Sequence, residues 1–260
     1  MARVRLDTLL AERGLFASRS RAAASVLAGE VLVGGRPAAR PAQLVPDDAP
    51  LAVSDASERF VSRGGRKLAH ALEVLGVPVA GRLALDVGAS TGGFTDVLLR
   101  RGAASVIALD VAADELDPRL RHDPRVHPLD RVNARELTPA ALPFVPDLVV
   151  VDVSFISATK VLPAVLGCVA ARFDALVLVK PQFEVGRERV GKNGVVRDAA
   201  DRRRALVGVA AASGAAVLGF ASSGLPGPKG NRETFVWLAE PGRAGALDDL
   251  EAAASEVEPS

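Results

Sequence analysis

Four charged residues interrupt or border stretches that are otherwise apolar: Lys67, Asp152, Lys180 and Glu233. Asp152 ends Val149-Val150-Val151, and Lys180 ends Leu176-Val177-Leu178-Val179. Glu233 opens Thr234-Phe235-Val236-Trp237, while Lys67 begins a helical apolar stripe through Leu68, Leu72 and Leu75. A charge set directly after a core strand is costly unless it is paired or used. Any one of the four alone could be half of a structural ion pair. All four at element ends point to a site. A lysine beside a second lysine, and partly desolvated, holds its proton less tightly than the usual value of about 10.4. The resulting free amine can take a proton from an alcohol. Asp152 and Glu233 can hold and orient the two lysines.

A second stretch supplies a ligand cradle: Leu83-Ala84-Leu85-Asp86-Val87-Gly88-Ala89-Ser90-Thr91-Gly92-Gly93-Phe94. An apolar strand feeds a glycine loop and then a helix start, where backbone N–H groups can approach a nucleotide. A phosphate-binding P-loop would need lysine where Phe94 stands. Gly88-Ala89-Ser90-Thr91-Gly92 has the spacing of a hydrolase nucleophile elbow. That triad needs a late histidine, however, and the last one here is His127. There remain an adenosyl-binding loop of the S-adenosylmethionine type and a plain connecting turn. The adenosyl type requires an acid at the tip of the next strand, for the ribose hydroxyls. Ser105-Val106-Ile107-Ala108-Leu109-Asp110 supplies it. Asp86, Gly88, Ala89, Ser90, Thr91, Gly92 and Asp110 are therefore the candidate cofactor contacts.

These residues need a scaffold. Apolar runs predict strands near 83–87, 105–109, 125–129, 148–152, 174–179, 216–220 and 233–238, with helices near 92–101, 157–172 and 198–213. That alternation predicts an α/β fold, a Rossmann-like doubly wound sheet over 62–240. Ligands bind at the carboxyl ends of such strands, where Asp86, Asp110, Asp152 and Lys180 fall. Residues 1–54 form a separate small α+β unit. Two short helices stop at Gly14 and Gly29, the second (Ala22–Ala28) capped from Ser18. Strands follow at 31–33 and 51–53. Residues 55–61 are expected to link the two units. Residues 241–260, alanine-rich and acidic, are expected to form a flexible, partly helical and frayed tail.

Composition limits the partners. Net charge is only +1, so a nucleic-acid surface must come from local clustering. Arg3, Arg5, Arg19 and Arg21 lie on or beside the first two helices. The last two stand where a helix start favours phosphate. The segment Phe183–Arg197 carries Arg187, Arg189 and Lys192 and is expected to be a mobile, phosphate-clamping loop. Cys168 is the one cysteine, in an apolar run, and is expected to be a buried small hydrophobe. No Cys/His spacing suggests a metal site. Asp7 and Glu12 interrupt any signal-peptide core. The uncharged stretch Ala205–Pro228 is rich in alanine, glycine and serine and predicts a helix-turn-strand rather than a membrane span. Together these features suit the cytoplasm.

The motifs also carry a resemblance. Arg5-Leu6-Asp7-Thr8-Leu9-Leu10, Ser18-Arg19-Ser20-Arg21-Ala22 and Gly29–Gly35 resemble the S4 RNA-binding domain, with Gly34 where asparagine is common. Ser62–Lys67, Asp86–Asp96, Asp152–Ser157, Lys180–Glu184 and Lys229–Glu233 resemble FtsJ-type ribose 2′-O-methyltransferases, with the Lys-Asp-Lys-Glu tetrad at 67, 152, 180 and 233. Apart from the acidic tail, the chain resembles the TlyA family from end to end. The resemblance implies S-adenosylmethionine as cofactor and cytidine 2′-hydroxyls of ribosomal RNA, within ribosomal subunits, as substrate. It further implies Lys180 as general base, Asp152 positioning Lys180 and lying near the sulfonium, and Lys67 and Glu233 completing the network. Asn133 would be an adenine-side contact, Arg63 and Arg66 would contact RNA, and no metal would be needed. Phe155, Phe183 and Phe235 are candidates to stack on a base. Two other classes remain to be distinguished. A non-catalytic ribosome-binding factor is disfavoured by the intact tetrad. A membrane-acting haemolysin, a name some family members carry, finds no amphipathic or apolar span.

Overall fold

The computed structural model describes residues 3–16, 18–27, 29–53 and 60–258. In the N-terminal unit, α1 (Leu6–Glu12) buries Leu6, Leu9 and Leu10, the i, i+3, i+4 face of an amphipathic helix. Helix α2 (Arg19–Leu27) starts under Ser18, whose Oγ accepts the Arg21 N–H at 3.2 Å. Strands β1 (Arg3–Arg5) and β4 (Leu44–Pro46) pair antiparallel. Strand β2 (Val31–Val33) pairs with β3 (Arg36–Pro37) and β5 (Leu51–Val53). Arg13, following α1, donates to the carbonyls of Asp47 (2.5 Å) and Ala49 (2.6 Å), tying that helix end to the segment before β5. Most of the linker expected over 55–61 lies outside the described residues.

The larger unit is built on seven strands: β6 (Leu83–Val87), β7 (Ser105–Asp110), β8 (Val126–Asp130), β9 (Leu148–Val151), β10 (Asp174–Val179), β11 (Ala216–Ser222) and β12 (Thr234–Ala239). Their order is β11-β12-β10-β9-β6-β7-β8. The run from β10 to β8 is parallel, and β12 is antiparallel to both its neighbours, so the doubly wound sheet is mixed. Helices α3 (Arg63–Leu75), α4 (Gly93–Arg100) and α5 (Pro118–Arg121) cover one face. Helices α6 (Leu162–Leu166), α7 (Ala199–Ala212) and α8 (Leu250–Val257) cover the other. Both faces are buried, so the strands read as continuous apolar runs.

Strand alternation places the site. Leu148 and Val150 of β9, Leu176 and Leu178 of β10, and Phe235 of β12 all face the α3/α4 layer. Continuing each strand by the same period of two puts Asp152, Lys180 and Glu233 toward that layer. Lys67 lies in α3, on that same side.

Two expectations need correction. The helix expected over 157–172 is a 3-10 turn (Ala158–Lys160) followed by the short α6. Pro163 is accepted in the first turn of α6 but could not sit inside a longer helix. Cys168 is buried there as expected and donates to the Ala164 carbonyl at 3.2 Å. The acidic tail is not frayed over its described length. Asp249 caps α8, Ala254 is fully buried, and Glu258 ends in the interior. Glu258 accepts from Arg202 Nε at 2.7 Å and from Thr234 Oγ1 at 2.8 Å. The tail's alanines are small enough to pack, and its final acid answers a buried arginine. Among the described residues no helix is long and apolar enough to cross a membrane.

Glu258→Ala would leave Arg202 buried and unpaired. It is expected to cost about 3–5 kcal/mol and to lower the melting temperature by roughly 10 °C. An unchanged melt would show that the pair carries no stability.

Candidate active site

A cleft of about 600 Å³ opens at the carboxyl ends of β6, β9 and β10, and Lys67, Asp152, Lys180 and Glu233 all line it. The four form two ion pairs. Lys67 Nζ donates to Glu233 Oε2, with the two residues 4% and 2% exposed. Lys180 Nζ lies 2.6 Å from Asp152 Oδ1 and donates to Ser154 Oγ at 2.7 Å. Each ammonium therefore faces a carboxylate.

The loop after β6 forms one wall, through Gly88, Ala89, Ser90 and Thr91. Gly88 has φ +84°, and a Cβ there would fall 2.6 Å from the Asp152 carbonyl oxygen. Only glycine lets the two strand ends come so close. Gly92, φ +94°, has a different reason from the one expected. It does not line the cleft, and its Cβ would meet Leu120 at 2.4 Å and Leu116 at 2.7 Å. Its constraint is packing behind the loop. Asp110 also lies off the cleft wall but is joined to it. Its Oδ2 accepts the Ser90 N–H and its Oδ1 the Ala112 N–H, both at 2.8 Å. An ionised carboxylate retains further lone pairs for hydroxyl donors. Asp86 lies fully buried beneath the loop and accepts Thr95 Oγ1 at 2.7 Å. Burial pushes its carboxyl up to about 7, against that hydrogen bond and with help from the charge of Asp152.

Other expected contacts divide. Asn133 is not brought to the cleft. Its Oδ1 caps a 3-10 turn through the Arg135 N–H, and its Nδ2 donates to Glu136. Arg63 does line the cleft, half-buried, with Nη2 donating to the Pro226 carbonyl. Burial disfavours its charge, and Glu233 opposes that effect. Arg66 is half-buried beside it in α3. Arg3 and Arg21 are exposed. Arg5 is committed to a bidentate pair with Asp7 at 2.7 and 3.0 Å, which holds that carboxyl at about 2. Arg19 lies 3.6 Å from the same carboxylate.

The segment 184–197 contributes Val190 and Gly194 to the cleft, but it is anchored rather than loose. Asn231 accepts the Val196 N–H (2.9 Å) and donates to the Gly194 carbonyl (2.7 Å); Arg189 is paired to Asp201 at 2.7 Å. Arg187 and Lys192 are exposed. Sequence reasoning missed an adjoining groove of about 670 Å³, lined by Arg135, Lys160 and Arg187 with Phe155 and Phe183. Phe155 is 93% exposed and its ring lies 5.4 Å from that of Phe183. Phe235 is fully buried and serves packing. Arg135 and Lys160 carried no motif signal; only the fold brings them together.

Comparison with known proteins agrees with this geometry. The model of the FtsJ-like methyltransferase family matches residues 60–240, and that of the S4 domain matches residues 4–49. The chain is 52% identical over 240 residues to the 16S/23S rRNA (cytidine-2'-O)-methyltransferase TlyA of Mycobacterium tuberculosis, covering 91% of this chain and 90% of that protein. It is 41% identical over 250 residues to YqxC of Bacillus subtilis, provisionally named an rRNA methyltransferase, covering 95% and 89%. A solved Streptococcus thermophilus structure, provisionally named a hemolysin, matches with a TM-score of 0.73 at 35% identity, covering 98% of this chain and 96% of that one.

The raised value for Asp86 sets a pH dependence. Its stabilising contribution is fully present below the usual 3.8 and is lost as pH rises through about 7. Melting temperature is therefore expected to fall over that range, and Asp86→Asn to flatten the slope. Equal slopes in the two proteins would place the titration elsewhere.

Proposed function

The chain belongs to the TlyA family of FtsJ-like methyltransferases that carry an S4 domain, and from that premise we propose that it methylates cytidine 2′-hydroxyls of ribosomal RNA using S-adenosylmethionine. The observation that carries the proposal is the accessible pair of Lys180 and Asp152, 2.6 Å apart in the cleft walled by the glycine loop. The residues present fit that cofactor. Gly88–Thr91 offer backbone, and Glu233 Oε1 and Gln182 Oε1 are buried acceptors with no hydrogen-bond donor among the described residues. Such acceptors suit a cationic, donor-bearing ligand. When bound, S-adenosylmethionine would supply a methyl group already activated on a sulfonium.

The chain's own residues then do the rest. Asp110 would hold the cofactor's ribose hydroxyls, and the Gly88–Thr91 backbone would set its position. Lys180, as the free amine, takes the proton of the 2′-hydroxyl while that oxygen acquires the methyl group. Asp152 orients the amine and stabilises the ammonium that forms. The buried Lys67–Glu233 pair fixes the far wall. General-base action contributes on the order of 10²–10⁴ in rate, and positioning supplies much of the remainder. The S4 unit docks RNA through exposed cations such as Arg3 and Arg21. The groove of Arg135, Lys160 and Arg187 carries phosphates, with Phe155 offering a stacking face. Such a substrate places the protein with ribosomes in the cytoplasm.

Labelled methyl transfer to purified ribosomal subunits, followed by mapping of the modified nucleotide, tests the proposal. Lys180→Ala is expected to abolish transfer while calorimetric cofactor binding persists; near-normal turnover would remove Lys180 as the base. Replacing Arg135, Lys160 and Arg187 together with alanine is expected to weaken RNA binding and flatten its log–log salt slope by about two. An unchanged slope would put the phosphate contacts elsewhere.

A further inference from the structure

Lys180 Nζ has four tetrahedral directions. One is its bond to Cε. A second points to Ser154 Oγ, a hydrogen bond at 2.7 Å. Asp152 Oδ1 stands 2.6 Å from Nζ as the opposite charge but outside hydrogen-bond geometry. All three residues line the cleft. In the ammonium the remaining directions hold hydrogens; in the free amine one of them holds the lone pair. Charge attraction alone leaves rotation about Cε–Nζ unfixed. The hydrogen bond to Ser154 is directional and fixes it.

We infer that Ser154 is a positioning residue for the proton transfer, acting with Asp152 to aim the Lys180 lone pair at the substrate hydroxyl. This rests on Lys180 being the base in the proposed methyl transfer. The backbone around Ser154 is built for the task. Phe155 follows it at φ +64°, a left-handed conformation that a bulky residue adopts only when its surroundings enforce it. Glu184 supplies the enforcement. It stands four residues beyond Lys180 and accepts from Ser157 Oγ at 2.5 Å and from the Ala158 N–H at 2.9 Å. The loop carrying Ser154 is thus tied to the segment that carries Lys180. The Phe155 and Phe183 rings make a second tie between the same two segments.

The test compares the full-length wild type with Ser154→Ala, Ser154→Thr and Lys180→Ala in steady-state methyl transfer to ribosomal subunits. Binding of S-adenosylhomocysteine is measured by calorimetry in each. Ser154→Ala is expected to lower kcat roughly tenfold, with KM for subunits and cofactor affinity within about twofold of wild type. Ser154→Thr, which keeps the hydroxyl, is expected to recover most of the loss. Normal kcat in Ser154→Ala, a loss carried in KM instead, or failure of threonine to rescue would overturn the assignment. The Lys180→Ala arm separates the two levels. If it stays active, the base itself is wrong; if it is dead while Ser154→Ala is normal, only the role of Ser154 falls.

Discussion

Lys67, Asp152, Lys180 and Glu233 have to share one side of a sheet whose two faces are otherwise apolar, and pairing is what makes this tolerable. A lone buried ion costs several kcal/mol. Lys67 and Glu233 meet that constraint by closing on each other, almost wholly out of solvent, across 166 residues of sequence. The pair fastens α3 to the start of β12 and walls the cleft in the same contact. The second pair is built differently. The side chains of Lys180 and Asp152 keep 11% and 23% of their exposure, and Lys180 has a hydroxyl partner as well as a carboxylate. The contrast distinguishes the lysines by environment: Lys67 is closed off against Glu233, and Lys180 stays accessible from the cleft.

The sheet was legible because its strands are buried on both faces. Val149–Val151 and Leu176–Val179 allow few other conformations, and the charges that end them mark where the apolar constraint stops. Periodicity also carries the shared face of Asp152, Lys180 and Glu233, since each continues its strand's alternation. What the sequence hid were choices decided by distant partners. Nothing near Glu258 announces that Arg202 waits for it in the interior, so an alanine-rich acidic stretch read as a frayed end. Gly92 looked like part of a ligand cradle because ligand approach and side-chain packing demand the same residue. The division of four charges into two pairs could not be read from spacing along the chain. Residues 157–172 kept a helical apolar pattern, and the proline within it moved the helix boundary.

The tail and the cleft wall form one connected structure. Glu258 holds Arg202, and Arg202 donates to the Arg197 carbonyl at 2.6 Å. Just upstream, Asn231 grips Gly194 and Val196. Thr234, which also bonds Glu258, follows directly on Glu233. The segment 184–197, charged and glycine-containing, has the composition of a mobile lid but the anchoring of a fixed wall. A site held by such supports presents a preformed surface to its substrate and has less order left to impose when the substrate arrives.

That economy bears on how RNA is met. With a net charge of +1 the protein cannot rely on a diffuse cationic field. It must use particular arginines and lysines, and the structure shows that counting them overstates the supply. Arg5 is taken by Asp7, Arg19 leans on the same carboxylate, and Arg189 is bound to Asp201. Cations already paired release fewer counterions on meeting phosphate, so they add little to affinity or salt dependence. The exposed Arg135, Lys160 and Arg187 gather instead at the groove that adjoins the cleft. Phosphate contacts fix register rather than sequence. Concentrating them beside the cleft puts them where register matters most, since a misplacement of about an ångström is costly at a reacting centre.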